Sequence, residues 1–400
     1  MKKILSVDDL IVGMYVVRVT KSSGDATMKS KGVIKSESAL KHLRTLAVKE
    51  VEVDLAKSEG DITKKADAEY QTTNDTISDD DEKTHSPSAQ EMVRARDLYV
   101  RARNLQRESF DKLQNNGTLE TGPYEEVATQ FFDSIFQNKD ALLCMTKLQD
   151  KDAYLFEHSI NVAILLAIFS NFIGLNRAIG VKLTLAGLLH DIGKVKISDD
   201  VLFKNGKLTD KEFDHMKTHA TLGADILSNS GLEGLAVQVA LQHHERLSGS
   251  GYPSGLIAHQ LNQYVRMASI ADVFDAITAE RVYKSAVPAI QAFKIIKQSG
   301  EQEFDVKLLN QFIRAIGLFS IGTIVLLKSQ KLAVVTKANH ETPQKPTVVA
   351  FYHTQYKRHI EPQTLDLKKK KANDTIEKDV NAKDYDIDVN GIIERFIINA

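Results

Sequence analysis

His190-Asp191 closes the apolar run Leu183 to Leu189, and Lys194 follows one residue after Gly193. A carboxylate can offer one oxygen to each of two ions, the adjoining imidazole can fix one of them, and a nearby ammonium can neutralise a bound phosphate. His158 stands alone near the start of another apolar stretch, Tyr154 to Phe169, where a buried imidazole needs a partner. His243-His244-Glu245 ends a third, Glu233 to His244, and leads into the loop Gly249-Ser-Gly-Tyr-Pro253. The loop glycines allow a ligand close to the backbone, and Tyr252 offers a stacking face and a hydroxyl. Asp272 and Asp275 lie at i,i+3 inside the otherwise apolar Tyr264 to Glu280, where two acids demand cations or donors. Arg281 and Lys284 follow, two cations suited to phosphate or guanine.

The elements that must position these residues are helices. Thr209 and Glu212 form a capping box ahead of a stripe at Phe213, Met216, Ala220, Gly223 and Leu227, which predicts one continuous helix. On it His219 lies closer to the apolar face than His215, so His219 is the interior candidate. Taken singly, each His also reads as a hydrogen-bonded core residue, the glycine loop as a plain turn, and Arg281 and Lys284 as solvated surface. Their joint placement on apolar helices within one region points to a site.

Composition sets the outer bounds. With 42% hydrophobic and 26% charged residues the chain is neither disordered throughout nor collagen-like, and a net charge of −1 gives no global field for nucleic acid or anionic lipid. Cys144 is the single cysteine, which excludes an intrachain disulfide and a cysteine zinc site, so metal chemistry falls to His and carboxylates. The run Val162 to Phe169 is too short to span a bilayer and no signal-peptide stretch opens the chain, so the cytoplasm is expected.

The expected architecture is multidomain: a small α+β N-terminal module (1–55), a flexible linker (56–90), a helical connector (91–148), a central all-α domain (149–318), and a short β-rich C-terminal extension with a terminal helix (319–400). In the first module strands fit around Met14 to Val19 and Val51 to Leu55, with a helix over Ser36 to Leu46. In the last segment strands fit Ile324 to Leu327, Leu332 to Val335 and Val348 to Tyr352, and a helix fits Gly391 to Ile398.

The central region, from about Lys151 to Leu318, resembles the HD-GYP domain, a metal-dependent subclass of HD phosphohydrolases. The residues that carry the resemblance are His158-Ser, Leu188-Leu-His-Asp-Ile-Gly-Lys194, Gly206-Lys-Leu-Thr209, His219, His243-His-Glu-Arg246, Gly249-Ser-Gly-Tyr-Pro253, Ile270-Ala-Asp-Val-Phe-Asp275 and Arg281-Val-Tyr-Lys284. The opening Ser6-Val-Asp-Asp-Leu-Ile-Val-Gly-Met-Tyr-Val16 resembles a module of unknown function that often precedes this domain.

This resemblance implies hydrolysis of cyclic di-GMP to the linear dinucleotide pGpG, and often on to GMP, by attack of a metal-bridging hydroxide on the phosphodiester. It implies His158, His190, Asp191, His219, His243, His244 and Asp272 as ligands of two divalent ions, iron or manganese, with His190, Asp191 and Lys194 catalytic and Asp191 as the bridge. Lys194, Tyr252, Asp275, Arg281 and Lys284 are then the substrate-binding residues. Two positions depart from the family: Ser248 stands where the loop usually has Asp, and Tyr154 stands where a subset has a Glu that supports a third ion. The implied partner is the small-molecule substrate, with no nucleic-acid polymer and no membrane, and signalling proteins or a second copy of the chain are the candidate protein partners. The rival readings are a deoxynucleotide phosphatase, which would need fewer histidines, and a cyclic di-GMP receptor that binds without cutting.

Overall fold

The computed structural model describes residues 2–6, 10, 14–22, 32–34, 48–54, 87–115, 117–148, 154–280, 286–339 and 341–399. It comprises two compact units, residues 1–83 and 84–400. In the first, strands β1 (Lys2–Ser6), β2 (Tyr15–Ser22), β3 (Gly32–Val33) and β4 (Val48–Asp54) form an antiparallel sheet of order β1-β4-β2-β3. Val16, Val51 and Val53 are buried within it. The helix expected over Ser36 to Leu46 and most of the expected linker lie outside the described residues.

The second unit opens with α1 (Ala89–Gln114), started by a complete Ser88–Glu91 capping box, and α2 (Gly122–Met145), with Pro123 in its first turn. Then come α3 (Tyr154–Phe172), α4 (Arg177–Leu189), α5 (Asp199–Leu202), α6 (Asp210–Lys217), α7 (His219–Asn229), α8 (Leu235–Gln242), α9 (Gln263–Thr278), α10 (Ala289–Gln298) and α11 (Val306–Ile316). Helix α3 is the central element, packed by α2, α4, α9 and α11. Its stretch Leu155–Phe172 is long and apolar enough to cross a membrane by length and composition, but 78% of it is buried inside the domain.

Close approach aligns the helices that carry ligands. A Cβ on Gly187 of α4 would lie 2.7 Å from the Ala163 Cα of α3, so the two backbones meet where only glycine fits. From α1, the Tyr99 hydroxyl donates to Asn161 Oδ1 on α3 at 3.0 Å, and Gln106 Nε2 donates to the Leu188 carbonyl at 2.5 Å. The apolar faces of α1 and α2 join one continuous core with those of α3, α4 and α7 to α11, so both helices belong to the scaffold of the site.

The stripe from Phe213 to Leu227 does not form one helix. The chain breaks at Thr218, whose hydroxyl donates to the His215 carbonyl at 2.6 Å, and α6 buries none of its residues; Phe213 is 48% exposed. Periodicity reported an apolar face there but not whether anything packs on it. Two further helices, α10 and α11, complete the central domain after α9.

Strands β5 (Ile324–Leu327), β6 (Lys331–Lys337), β7 (Thr347–His353), β8 (Arg358–Asp366) and β9 (Ile376–Asp379) build a second antiparallel sheet, order β8-β7-β6-β5-β9. β8 and β9 are edge strands rich in exposed polar residues, and β8 contains Pro362, which the sequence reading passed over. The chain then forms α12 (Val389–Ile393), continued by a wider turn over Glu394–Ile398. Ile393 and Ile398 enter the helical core, and Glu394 pairs with Arg96 of α1 at 2.8 Å.

Candidate metal centre

Four helices and the turn after α4 bring the histidines and acids together. α3 supplies His158; the C-cap of α4 and the next residue supply His190 and Asp191; the start of α7 supplies His219; the end of α8 supplies His243 and His244; and α9 supplies Asp272. His219, the first residue of α7, is buried, while His215 on α6 is only half-buried and its Nε2 accepts from the Ser198 amide at 3.4 Å.

Asp191 is the hinge of the geometry. Its Oδ2 lies 3.4 Å from His190 Nε2 and 3.5 Å from His158 Nε2, and its Oδ1 lies 3.4 Å from His219 Nε2 and 3.8 Å from His243 Nε2. Asp272 divides in the same way, with Oδ1 3.1 Å from His158 Nε2 and Oδ2 3.8 Å from His244 Nδ1. Two ligand sets result, His158/His190/Asp272 and Asp191/His219/His243/His244, each with donor atoms within 4.8 Å of one another.

The outward nitrogens are pinned. His190 Nδ1 donates to the Gly187 carbonyl at 2.8 Å, His219 Nδ1 to Met216 at 2.7 Å, and His243 Nδ1 to Val239 and Ala240, both at 3.0 Å. These bonds leave Nε2 of each ring free to hold a cation. His190 Nε2 and Asp191 Oδ1 are buried with no hydrogen-bond partner, an arrangement that would be costly unless a ligand completes it. Buried, acceptor-rich and built from imidazole and carboxylate, the donor set fits divalent metal ions.

Electrostatics agree. Burial opposes ionisation of Asp191, yet Lys194 and His190 hold its carboxyl well below the ordinary value. Burial likewise opposes ionisation of Asp272, but the His158 hydrogen bond and His244 hold it low. Burial pushes His219 and His243 down, and His244 to about 3, leaving them neutral and able to ligate. His158 is the exception: burial lowers its pKa, but its hydrogen bonds to the Asp272 and Asp275 carboxylates outweigh this and raise it to about 9.

Lys194 donates to Asp191 Oδ2 at 2.5 Å and keeps 20% of its side chain exposed at the mouth of the centre. Tyr252 lies over His244 with ring centroids 4.7 Å apart. Asp275, expected among the substrate-binding residues, instead lies buried behind His158, its Oδ2 accepting from Nδ1 at 2.7 Å. The i,i+3 spacing placed both acids on one face, but distance separates the one that meets the ligand cluster from the one that orients a ring. Arg281 and Lys284 fall outside the described residues, and so does the Tyr154 side chain.

Glu245 is a contributor the sequence reading left without a role. Buried beneath the glycine loop, its carboxylate accepts from the Ser254 amide at 2.7 Å and the Leu256 amide at 2.9 Å, tying the loop to the end of α8. Its adjacency to His243-His244 was the available signal. At the departing position, the Ser248 hydroxyl meets the Ser250 hydroxyl at 2.9 Å, and Ser250 in turn reaches Glu303 at 3.3 Å, so a chain of neutral donors holds the loop.

A family model described as HD domain matches residues 143–308, and one described as a domain of unknown function, DUF3391, matches residues 2–124. Over 379 residues the chain is 31% identical to the cyclic di-GMP phosphodiesterase PA4108 of Pseudomonas aeruginosa, covering 94% of this chain and 91% of that protein. The chain belongs to the HD-GYP family. Over 192 residues the chain is also 33% identical to a cyclic di-GMP phosphodiesterase of Thermotoga maritima, covering 48% of this chain and 52% of the relative. The cyclic di-GMP phosphodiesterase response regulator RpfG of Xanthomonas campestris is 39% identical over 132 residues, covering 32% of this chain and 35% of its own length. Of the motif residues, His158, His190, Asp191, His219, His243, His244 and Asp272 lie together in two adjoining sets.

Proposed function

We propose that the protein hydrolyses cyclic di-GMP to pGpG and onward to GMP in the cytoplasm, using two divalent ions, iron or manganese. The observation that carries this reading is the division of Asp191, with one carboxylate oxygen facing His158 and His190 and the other facing His219 and His243. His158, His190 and Asp272 would hold one ion; His219, His243 and His244 would hold the other; and Asp191 would be shared. Ions held there supply positive charge that acidifies water and polarises a phosphoryl oxygen.

The chain's own residues do the rest. Lys194, beside Asp191 and partly exposed, is placed to pair with a non-bridging phosphate oxygen as charge develops on it. Tyr252 offers its ring and hydroxyl at the mouth, held by the loop that Glu245 fastens. Arg281 and Lys284, by their position after α9, are proposed to hold the remainder of the nucleotide.

The test is turnover of cyclic di-GMP by the full-length protein reconstituted anaerobically with Mn²⁺ or Fe²⁺, with products separated by chromatography. Wild type should release pGpG and GMP, and Asp191→Ala should abolish both. Binding without turnover in either metal would favour a receptor. Cleavage of deoxynucleotides in place of the cyclic dinucleotide would favour the phosphatase reading.

A further inference from the structure

Phe213 is an aromatic side chain held at the surface by polar bonds. Helix α6 buries none of its residues and Phe213 is 48% exposed, so packing in the core does not fix the ring. The helix is fastened by charge and hydrogen bonding instead. Glu212 accepts from the Thr209 amide at 2.7 Å and pairs with Lys204 at 2.6 Å, and the Thr218 hydroxyl donates to the His215 carbonyl at 2.6 Å. Lys217, paired with Asp214 at 2.7 Å, sets its ammonium 4.9 Å from the centre of the Phe213 ring and so covers one face of it.

A single exposed apolar side chain is ordinary, and its neighbours decide whether it has a use. Phe136, Phe172 and Tyr356 are exposed as well, but their ring neighbours are Phe132, Arg314 and His353, outside the metal centre. Phe213 differs. Its ring meets that of Tyr252 edge to face, with centroids 6.4 Å apart and planes at 81°, and Tyr252 in turn lies 4.7 Å from the proposed metal ligand His244. The exposed ring is thus one aromatic side chain removed from the metal centre. In a nucleotide the base is likewise one ribose removed from its phosphate. A flat aromatic base presents a π-face that an exposed phenyl ring can stack against, with no hydrogen-bond partner required.

We propose that Phe213 is a base-stacking platform: a purine of the dinucleotide lies against its ring while the phosphodiester occupies the metal centre. This rests on the cyclic di-GMP reading above and adds to it a residue that touches the substrate. Stacking is indifferent to the donors and acceptors on the base edge, so Phe213 selects for a planar base and leaves the choice between guanine and adenine to other groups.

The chain contains no tryptophan, so Phe213→Trp places a single indole at the platform of the full-length protein. Its fluorescence is followed on adding cyclic di-GMP, in EDTA and, by rapid mixing before turnover, with Mn²⁺ bound. Stacking should quench it saturably, and ribose 5-phosphate, which lacks a base, should not. Phe213→Ala and Phe213→Leu should each raise KM for cyclic di-GMP by about tenfold and lower kcat less, while Phe213→Trp keeps KM close to wild type. Circular dichroism and Mn²⁺ binding should match wild type in all three. A wild-type KM in Phe213→Ala, restoration by the non-aromatic Phe213→Leu, quenching absent in both metal states, or loss of Mn²⁺ binding in the variants would overturn the assignment. Saturable quenching without hydrolysis by the metal-loaded wild type would uphold the platform and count against the enzymatic reading alone.

Discussion

His158 and Asp275 form a buried pair in which Nδ1 donates to Oδ2 at 2.7 Å while Nε2 faces Asp272 and Asp191. The carboxylate fixes which nitrogen carries the proton and makes the other a stronger donor to a cation. Asp275→Asn should keep the shape but weaken this effect, lowering Mn²⁺ affinity by about 10- to 100-fold. Titration followed by electron paramagnetic resonance of free Mn²⁺ checks it, and an unchanged affinity would remove Asp275 from the metal site's support.

Proton competition should fall on the same ring. In the metal-free protein His158 has its pKa raised to about 9, whereas His219, His243 and His244 are shifted down and already neutral at pH 7. A ligand must be neutral, so between about pH 6.5 and 9 the first ion displaces a proton from His158, and apparent affinity should rise about tenfold per pH unit. The raised pKa also stabilises the metal-free fold: that contribution is complete below about pH 6.5 and is lost as pH rises through 9. Calorimetry in buffers of different ionisation enthalpy should show close to one proton released per chain at pH 7.5.

Gly193 sets the seat of α7. A Cβ there would lie 2.0 Å from the His219 carbonyl oxygen and 2.5 Å from the Gly223 amide nitrogen, both backbone atoms that cannot step aside alone. Gly193→Ala should push α7 away, cost about 1–3 kcal/mol of stability, and displace His219 from Asp191. Thermal unfolding together with metal analysis checks this; normal metal content in a stable variant would contradict it.

Nuclearity can be tested at Tyr154, the first residue of α3. A phenol with an ordinary pKa near 10 supplies no anionic oxygen at neutral pH, and Glu157 projects about 100° around the helix from His158. Elemental analysis should find two ions per chain in the wild type and a third only in Tyr154→Glu. Three ions in the unmodified protein would require a ligand not identified above.

The helices and their imidazoles were legible because long apolar runs are rare and a His or Asp within one stands out, as at His158 and Asp272. Roles that depend on distance were not. Asp272 and Asp275 look alike in sequence, and only the fold shows one facing the ligand cluster and the other facing the back of His158. The break at Thr218 was hidden by a stripe that continues across it, and Glu245 required the path of the loop above it to acquire a function.

The seating of Ile393 and Ile398 in the helical core has a consequence for the order of events during synthesis. Asp272 and every other proposed ligand leave the ribosome well before those isoleucines, so a nascent chain carries the full set of imidazoles while the core that aligns them is still open. Until those isoleucines emerge and pack, that core lacks two of the buried side chains it shares with α1 and α3.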